Sequence, residues 1–200
     1  QNSYGPNPYP DEYFDYTQSS QALDMLVNEY PFLVHVFAAG NEQQDRQIPF
    51  GSTVVSSKNT IAVGAVDDSG EMSEFSSWGP VHDGRLKPDV CALGVDVLST
   101  VFNNKYAFRD WTGTSMACPG VSGTIAQLIQ RYRQLHNNQN PPASLMKAVV
   151  CNSATDILNP GPDYKSGFGN INGLKAVEII ENGHFIDGSV SNAAENTHSI

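Results

Sequence analysis

The stretch SSQALDMLVNEYPFLVHVFAAGN, residues 19–41, carries two patterns in succession. Leu23, Leu26, Val27 and Tyr30 fall on one face at helical spacing, and Ser19 or Ser20 stands where it would cap that helix. Pro31 ends the helix, and residues 32–39 follow as a nearly unbroken apolar run. Gly40-Asn41 then turns the chain into a polar loop that lasts through Gln47. A strand without polar alternation, fed by an amphipathic helix, belongs in a parallel sheet covered on both faces. Residues 60–66 repeat the apolar pattern and stop at the turn signal Asp67-Asp68-Ser69-Gly70.

Residues 73–111 read as short strands and turns, with Asn103-Asn104 marking a hairpin between two aromatic-bearing segments. The strongest helical pattern opens after Gly113, where Ala117, Val121, Ile125, Leu128, Ile129 and Tyr132 form one stripe. Pro119 falls in its opening turns, where a missing N–H is expected to cost little. Further helices are expected over 142–152 and 172–180. Residues 1–17 read as an extended stretch and a loop, and the chain from Asn182 as a polar tail. The expected architecture is α/β: three layers, α/β/α, around a mainly parallel sheet, with one domain over 1–181 and a tail or linker over 182–200.

Composition bounds the function. The 200 residues are 40% hydrophobic and 16% charged, enough apolar chain for a core. A net charge of -10, with 11 Lys and Arg in all, argues against nucleic acid as a partner, because phosphate binding needs clustered cations. No apolar run nears the roughly 20 residues of a membrane span. Cys91, Cys118 and Cys151 are too widely spaced for a zinc pattern and read as buried free thiols. No cofactor or metal is indicated; Asp11, Glu12 and Asp15 read as a solvated acidic face and form no clear calcium loop. With neither an initiator Met nor a signal peptide at Gln1, the chain is expected to begin inside something longer or after processing.

The candidate chemistry lies in Gly113-Thr114-Ser115-Met116-Ala117-Cys118-Pro119, which puts a serine at the start of the long helix. A helix N-terminus offers free N–H groups and a positive potential, which favour negative charge developing nearby. A serine there can attack a carbonyl while its own N–H helps hold the resulting oxyanion. The same position also suits an ordinary Ser or Thr helix cap.

That segment resembles the nucleophile signature of the subtilisin-like serine proteases, the subtilases. Val36-Phe37-Ala38-Ala39-Gly40-Asn41 is similar to the family's strand leading to the oxyanion-hole asparagine. Ile61-Ala62-Val63-Gly64-Ala65-Val66 resembles its next core strand, and Phe75-Ser76-Ser77-Trp78-Gly79-Pro80 with Asp83-Gly84-Arg85-Leu86-Lys87-Pro88-Asp89-Val90 the loop and strand after it. Gly167-Phe168-Gly169-Asn170-Ile171-Asn172 continues in the expected order, so the likeness runs in one register over roughly residues 2–180. It implies the C-terminal part of a subtilisin-like catalytic domain, incomplete at the N-terminal side.

What the resemblance implies is a serine endopeptidase acting on polypeptides through an acyl-enzyme on Ser115. The amide of Asn41 and the N–H of Ser115 would form the oxyanion hole. Ser3, Tyr4 and Gly5 would pair with an extended substrate as an edge segment, opposite Ala39 and Gly40, with Thr114 a further substrate contact. Glu42 and Asp45 would border the first specificity pocket and favour a basic side chain there. Cys118, near the nucleophile, would carry any thiol sensitivity. Gly120, where many relatives have histidine, is a departure without chemical consequence.

The family's catalytic Asp and His precede this region. None of His35, His82, His136, His184 and His198 stands in the expected glycine-flanked helix start; His35 reads as a satisfied core or edge histidine and His82 as solvated. The partner implied is an N-terminal segment of the same protease carrying both groups, continuous or nicked from this chain. The chain alone is then expected to be inactive. The alternative is a non-catalytic, protease-like binding or assembly module. The family's habit implies export to an extracellular or periplasmic space.

Overall fold

Residues 15–43, 53–102, 104–107, 111–186 and 188 are described in the computed structural model. Val36–Ala38 (β1), Ile61–Val66 (β2) and Val90–Leu93 (β3) form a parallel sheet in the order β1-β2-β3. Every residue of β2 is buried, because helices cover both of its faces. Side chains alternate across a strand, so Ile61, Val63 and Ala65 point to one layer and Ala62 to the other. The first layer is built by Thr114–Leu135 (α2), Ala143–Ser153 (α3) and Gly173–Glu181 (α4), with Ala117, Val121, Ile125 and Leu128 of α2 in its core. The second holds Phe37, Val55, Ala62 and Val81, with Leu23 of Gln18–Glu29 (α1) packed against them. The fold is the expected three-layer α/β arrangement.

Several local expectations shift. The cap of α1 is Thr17, whose Oγ1 accepts from the N–H of Ser20 at 3.4 Å. Ser20 lies inside the helix, fully buried, with its hydroxyl 2.6 Å from that of Ser56, a long-range partner no local pattern reveals. The run 32–39 yields a strand only at Val36–Ala38, since β2 begins opposite Val36; Phe32 and Leu33 are exposed. Pro119 sits beyond the first turn of α2, where it cannot donate to the Ser115 carbonyl, yet the helix runs on. Ser99–Val101 (β4) and Asn104–Ala107 (β5) pair antiparallel across Asn103, which lies outside the described residues.

Segment 169–171 extends the sheet beyond β3. Cys91 N–H donates to Gly169 O, and Ile171 N–H to Cys91 O, both at 2.8 Å. Gly169 has a φ of 110°, and a Cβ there would overlap the Thr155 carbonyl, which accounts for the glycine in that motif. Past α4, Phe185 packs against the first core, 6.2 Å from the Tyr132 ring.

Charges are buried at the base of the sheet. Lys87 Nζ lies 2.6 Å from Asp89 Oδ2, and Lys147 Nζ from α3 lies 2.8 Å from Asp89 Oδ1. Both ammonium groups also donate to Thr60 O, and the Ala62 N–H donates to Asp89 Oδ2 at 2.7 Å. Burial pulls the Lys87 ammonium down to about 8 against the pull of Asp89, whose own desolvation is opposed by Lys87, Lys147 and the Ala62 N–H, so that its pKa is lowered.

Candidate active site

The C-terminal end of β1 and the N-terminal end of α2 meet at one edge of the sheet. Thr114 N–H and Thr114 Oγ1–H both donate to Asn41 Oδ1 at 2.9 Å, and Gly40 N–H donates to Thr114 Oγ1 at 3.2 Å. A backbone N–H can only donate, so the amide atom facing Thr114 is the oxygen and Asn41 Nδ2 points the other way. Thr114 is fully buried, Asn41 is exposed and Ser115 is half-buried at the mouth of the helix. No acidic residue stands in the first turn of α2 to offset its positive end.

Gly113 makes this approach geometrically feasible. Its N–H donates to Gly94 O at 2.7 Å, and a Cβ on it would stand 3.3 Å from Asn41 Nδ2. The loop after β1 is fastened on its other side as well. Ser77 N–H donates to Gly40 O at 2.9 Å, Glu42 N–H to Ser77 Oγ at 3.1 Å, and Gln43 N–H to Phe75 O at 3.3 Å. Sequence reading missed Gly94, Gly113 and Ser77 as supports; Gly113 and Ser77 lie in motifs with no regular periodicity, and nothing singled out Gly94.

A cavity of about 470 Å³ opens at Ser115, bounded by Val97, Phe102, Trp111, Met116 and Pro119 among others, and among the described residues no histidine or carboxylate lines it. The structure thus brings Asn41, Gly40, Thr114 and Ser115 together, with Ala39 buried just behind. Ser3, Tyr4, Gly5 and Asp45 lie outside the described residues, as do Asp11, Glu12 and His198.

The described histidines lie elsewhere. His35 is not the satisfied histidine expected: its Nε2 is buried without a hydrogen-bond partner, and burial lowers its pKa. His82 is exposed, with Nδ1 2.6 Å from Asp15 Oδ1. His136 stacks on Tyr132 at the far end of α2, and His184 lines a cavity beside α3 and α4. The cysteines are free thiols, and burial pushes Cys118 up to about 11, Cys151 up to about 12 and Cys91 higher still. Among the described residues no group of His, Cys, Asp or Glu is placed to hold a metal ion, and no helix is long and apolar enough to cross a membrane.

The frame is thus a parallel sheet between helices, with Ser115 in the first turn of α2 and the neighbouring Thr114 bonded to Asn41 past the end of β1. The model of the subtilase family matches residues 1–169, and the chain belongs to that family. It is 44% identical over 91 residues to the C5a peptidase of Streptococcus pyogenes, covering 44% of this chain and 8% of that protein. It is 42% identical over 108 residues to a cuticle-degrading serine protease of Arthrobotrys oligospora, covering 54% of the chain and 24% of that protein. Among solved structures, the prenylagaramide maturation protease PagA superposes with a TM-score of 0.64 at 28% identity, over 80% of this chain and 55% of that one. The S218A mutant of the PatA protease domain shares the fold, with a TM-score of 0.70 at 22% identity over 90% of this chain and 58% of that one. The matched region is thus a small part of these curated relatives and just over half of these solved chains.

Proposed function

We propose that this chain is the nucleophile-bearing portion of a serine endopeptidase, with Ser115 as nucleophile and Asn41 as oxyanion-hole donor. The observation that carries the reading is the double hydrogen bond from Thr114 to Asn41 Oδ1, which aims Nδ2 beside the N-terminus that bears Ser115. Membership of the subtilase family and likeness to serine proteases support it. The Ser115 oxygen attacks the scissile carbonyl carbon, its proton passes to a histidine base, and the carbonyl oxygen becomes an oxyanion held by Asn41 Nδ2–H and Ser115 N–H. Collapse expels the amine with that proton and leaves an acyl-serine, which water then hydrolyses by the same route.

The histidine and its aspartate are assigned to a segment upstream of Gln1 in the same protease, since no described histidine lines the Ser115 cavity. Ser3, Tyr4 and Gly5 are assigned to pairing with the substrate main chain, and Ala39, Gly40 and Thr114 to the wall of the site. Export from the cytoplasm is part of the same reading and rests on family resemblance.

The test is labelling with a fluorophosphonate probe, with intact mass on the same native sample and Ser115→Ala as control. Label on Ser115 when the upstream segment is present, and its loss in Ser115→Ala, is the expected result. Absence of label from a folded protein that contains the upstream segment would overturn the reading.

A further inference from the structure

The segment Phe75-Ser76-Ser77-Trp78 sets two serines side by side, and the fold gives them different partners. Ser76, 1% exposed, accepts from the Ala65 N–H of β2 through its Oγ at 3.0 Å, and its own N–H donates to Ser73 O at 3.0 Å. Two residues past Ser77, Gly79 N–H donates to Tyr164 O at 2.9 Å. The turn that carries Ser77 is thus tied on one side to the central strand and on the other to the chain near Gly167. Ser77 itself is fully buried, and both of its bonds go to the loop after β1.

Those two bonds flank Asn41. Ser77 N–H donates to Gly40 O at 2.9 Å, and Ser77 Oγ accepts from Glu42 N–H at 3.1 Å. The neighbour on each side of the candidate oxyanion donor is therefore held by one buried residue. Thr114 fixes the amide end of Asn41 through Oδ1 and holds Gly40 N–H, but it makes no bond to the chain beyond Asn41. Gly40, at φ 115°, puts no Cβ restraint on the peptide that leads into Asn41, so bonds rather than sterics keep that peptide in place. Main-chain pairing with the turn passes from Gly40 to Gln43, whose N–H donates to Phe75 O, and the serine hydroxyl supplies the acceptor that Glu42 N–H needs between them.

We propose that Ser77 is a positioning residue for the candidate oxyanion hole. It holds the chain on both sides of Asn41 and so sets the aim of Nδ2, without touching the reacting atoms. The inference rests on the peptidase reading and deepens it, since the aim of the donor then depends on a third element, 35 residues from Glu42. Oxyanion donors act over a narrow range of roughly 2.7–3.1 Å, and a misplacement of about 1 Å can cost roughly 10²-fold. A donor still tethered at Thr114 but loosened in its loop should lose less, about tenfold.

The test measures fluorophosphonate labelling of Ser115 in the complete protease, upstream segment included, at several probe concentrations. This separates the limiting rate from the affinity for the probe. Ser77→Ala, first shown to be folded by circular dichroism, should lower the limiting rate about tenfold and leave the affinity within about twofold. Ser77→Cys, close in size and a weak acceptor, decides the matter if Ser77→Ala does not fold. A residue that acts through Asn41 has nothing left to position once the amide is gone. Adding Ser77→Ala to Asn41→Ala should therefore change the rate by less than about twofold, whereas a merely structural serine would slow both backgrounds equally. A native limiting rate in Ser77→Ala, an effect on affinity alone, or equal slowing in the two backgrounds overturns the inference. If Asn41→Ala slows labelling and Ser77→Ala does not, this inference falls alone. If Asn41→Ala labels at the native rate, the oxyanion reading falls and Ser77 loses its role with it.

Discussion

Replacing Gly113 with alanine tests the geometry on which the candidate oxyanion hole depends. Gly113 sits at φ 156° and ψ 161°, a region that essentially only glycine occupies. Holding another residue there costs about 1–3 kcal/mol. The new methyl would stand 3.3 Å from Asn41 Nδ2 and 3.6 Å from Oδ1, so the amide must give by a few tenths of an ångström. Oxyanion donors work over a narrow range of roughly 2.7–3.1 Å, and in subtilisin complete loss of the equivalent donor costs about 10²–10³ in turnover. A partial displacement is therefore expected to slow fluorophosphonate labelling of Ser115 about tenfold in the complete protease. Urea denaturation on the same sample separates this from the backbone cost, and Thr114→Ser, which keeps the hydroxyl, should label near the native rate. If Gly113→Ala lost stability as expected yet labelled Ser115 as fast as the native protein, Gly113 would not be what positions Asn41.

Other outcomes follow from the buried charges and thiols. Asp89→Ala strands Lys87, which is 2% exposed, and should cost about 3–5 kcal/mol in urea unfolding; a loss under about 1 kcal/mol would mean that the cluster contributes little. Burial holds the His35 pKa of the folded chain below its ordinary 6.5, so the unfolded chain binds a proton more readily as pH falls. Stability should then fall as pH drops below about 6.5, and the fall should be smaller in His35→Leu; parallel profiles would remove the assignment. For Lys87, lowered from 10.5 to about 8, the unfolded state keeps a proton that the folded state has released within that window. The native protein should therefore gain stability relative to Lys87→Met as pH rises through it, which urea midpoints would check. With Cys118 pushed up to about 11, iodoacetamide at mildly alkaline pH should leave Ser115 labelling unchanged; parallel loss of label would restore Cys118 as a sensitive thiol.

The parts of the fold that sequence revealed are those whose signal is local. The apolar run of β2 and the stripe from Ala117 to Leu128 each state their own burial, and the structure places both in the core. The start of α1 was misplaced because Ser20 is bonded to Ser56, 36 residues away. Phe32 and Leu33 looked like strand because apolarity says nothing of where a pairing partner begins. Lys87, Asp89 and Lys147 form no pattern in the sequence, and only the fold sets both ammonium groups against the Asp89 carboxylate and the Thr60 carbonyl. At the candidate site, Ser115 and Asn41 were legible as motif residues. Thr114 was read as a substrate contact; that its hydroxyl also joins Gly40 to Asn41 was not legible, because those partners are more than 70 residues away.

The charged cluster marks the opposite end of the sheet from Ser115. Asp89 binds the amide of Ala62, at the start of β2, while Asn41 lies past the end of the parallel β1. The buried ion pairs and the candidate site thus stand at separate poles of the same strands. A substitution among Lys87, Asp89 and Lys147 therefore acts on folding at one end of the strands, remote from Asn41 at the other.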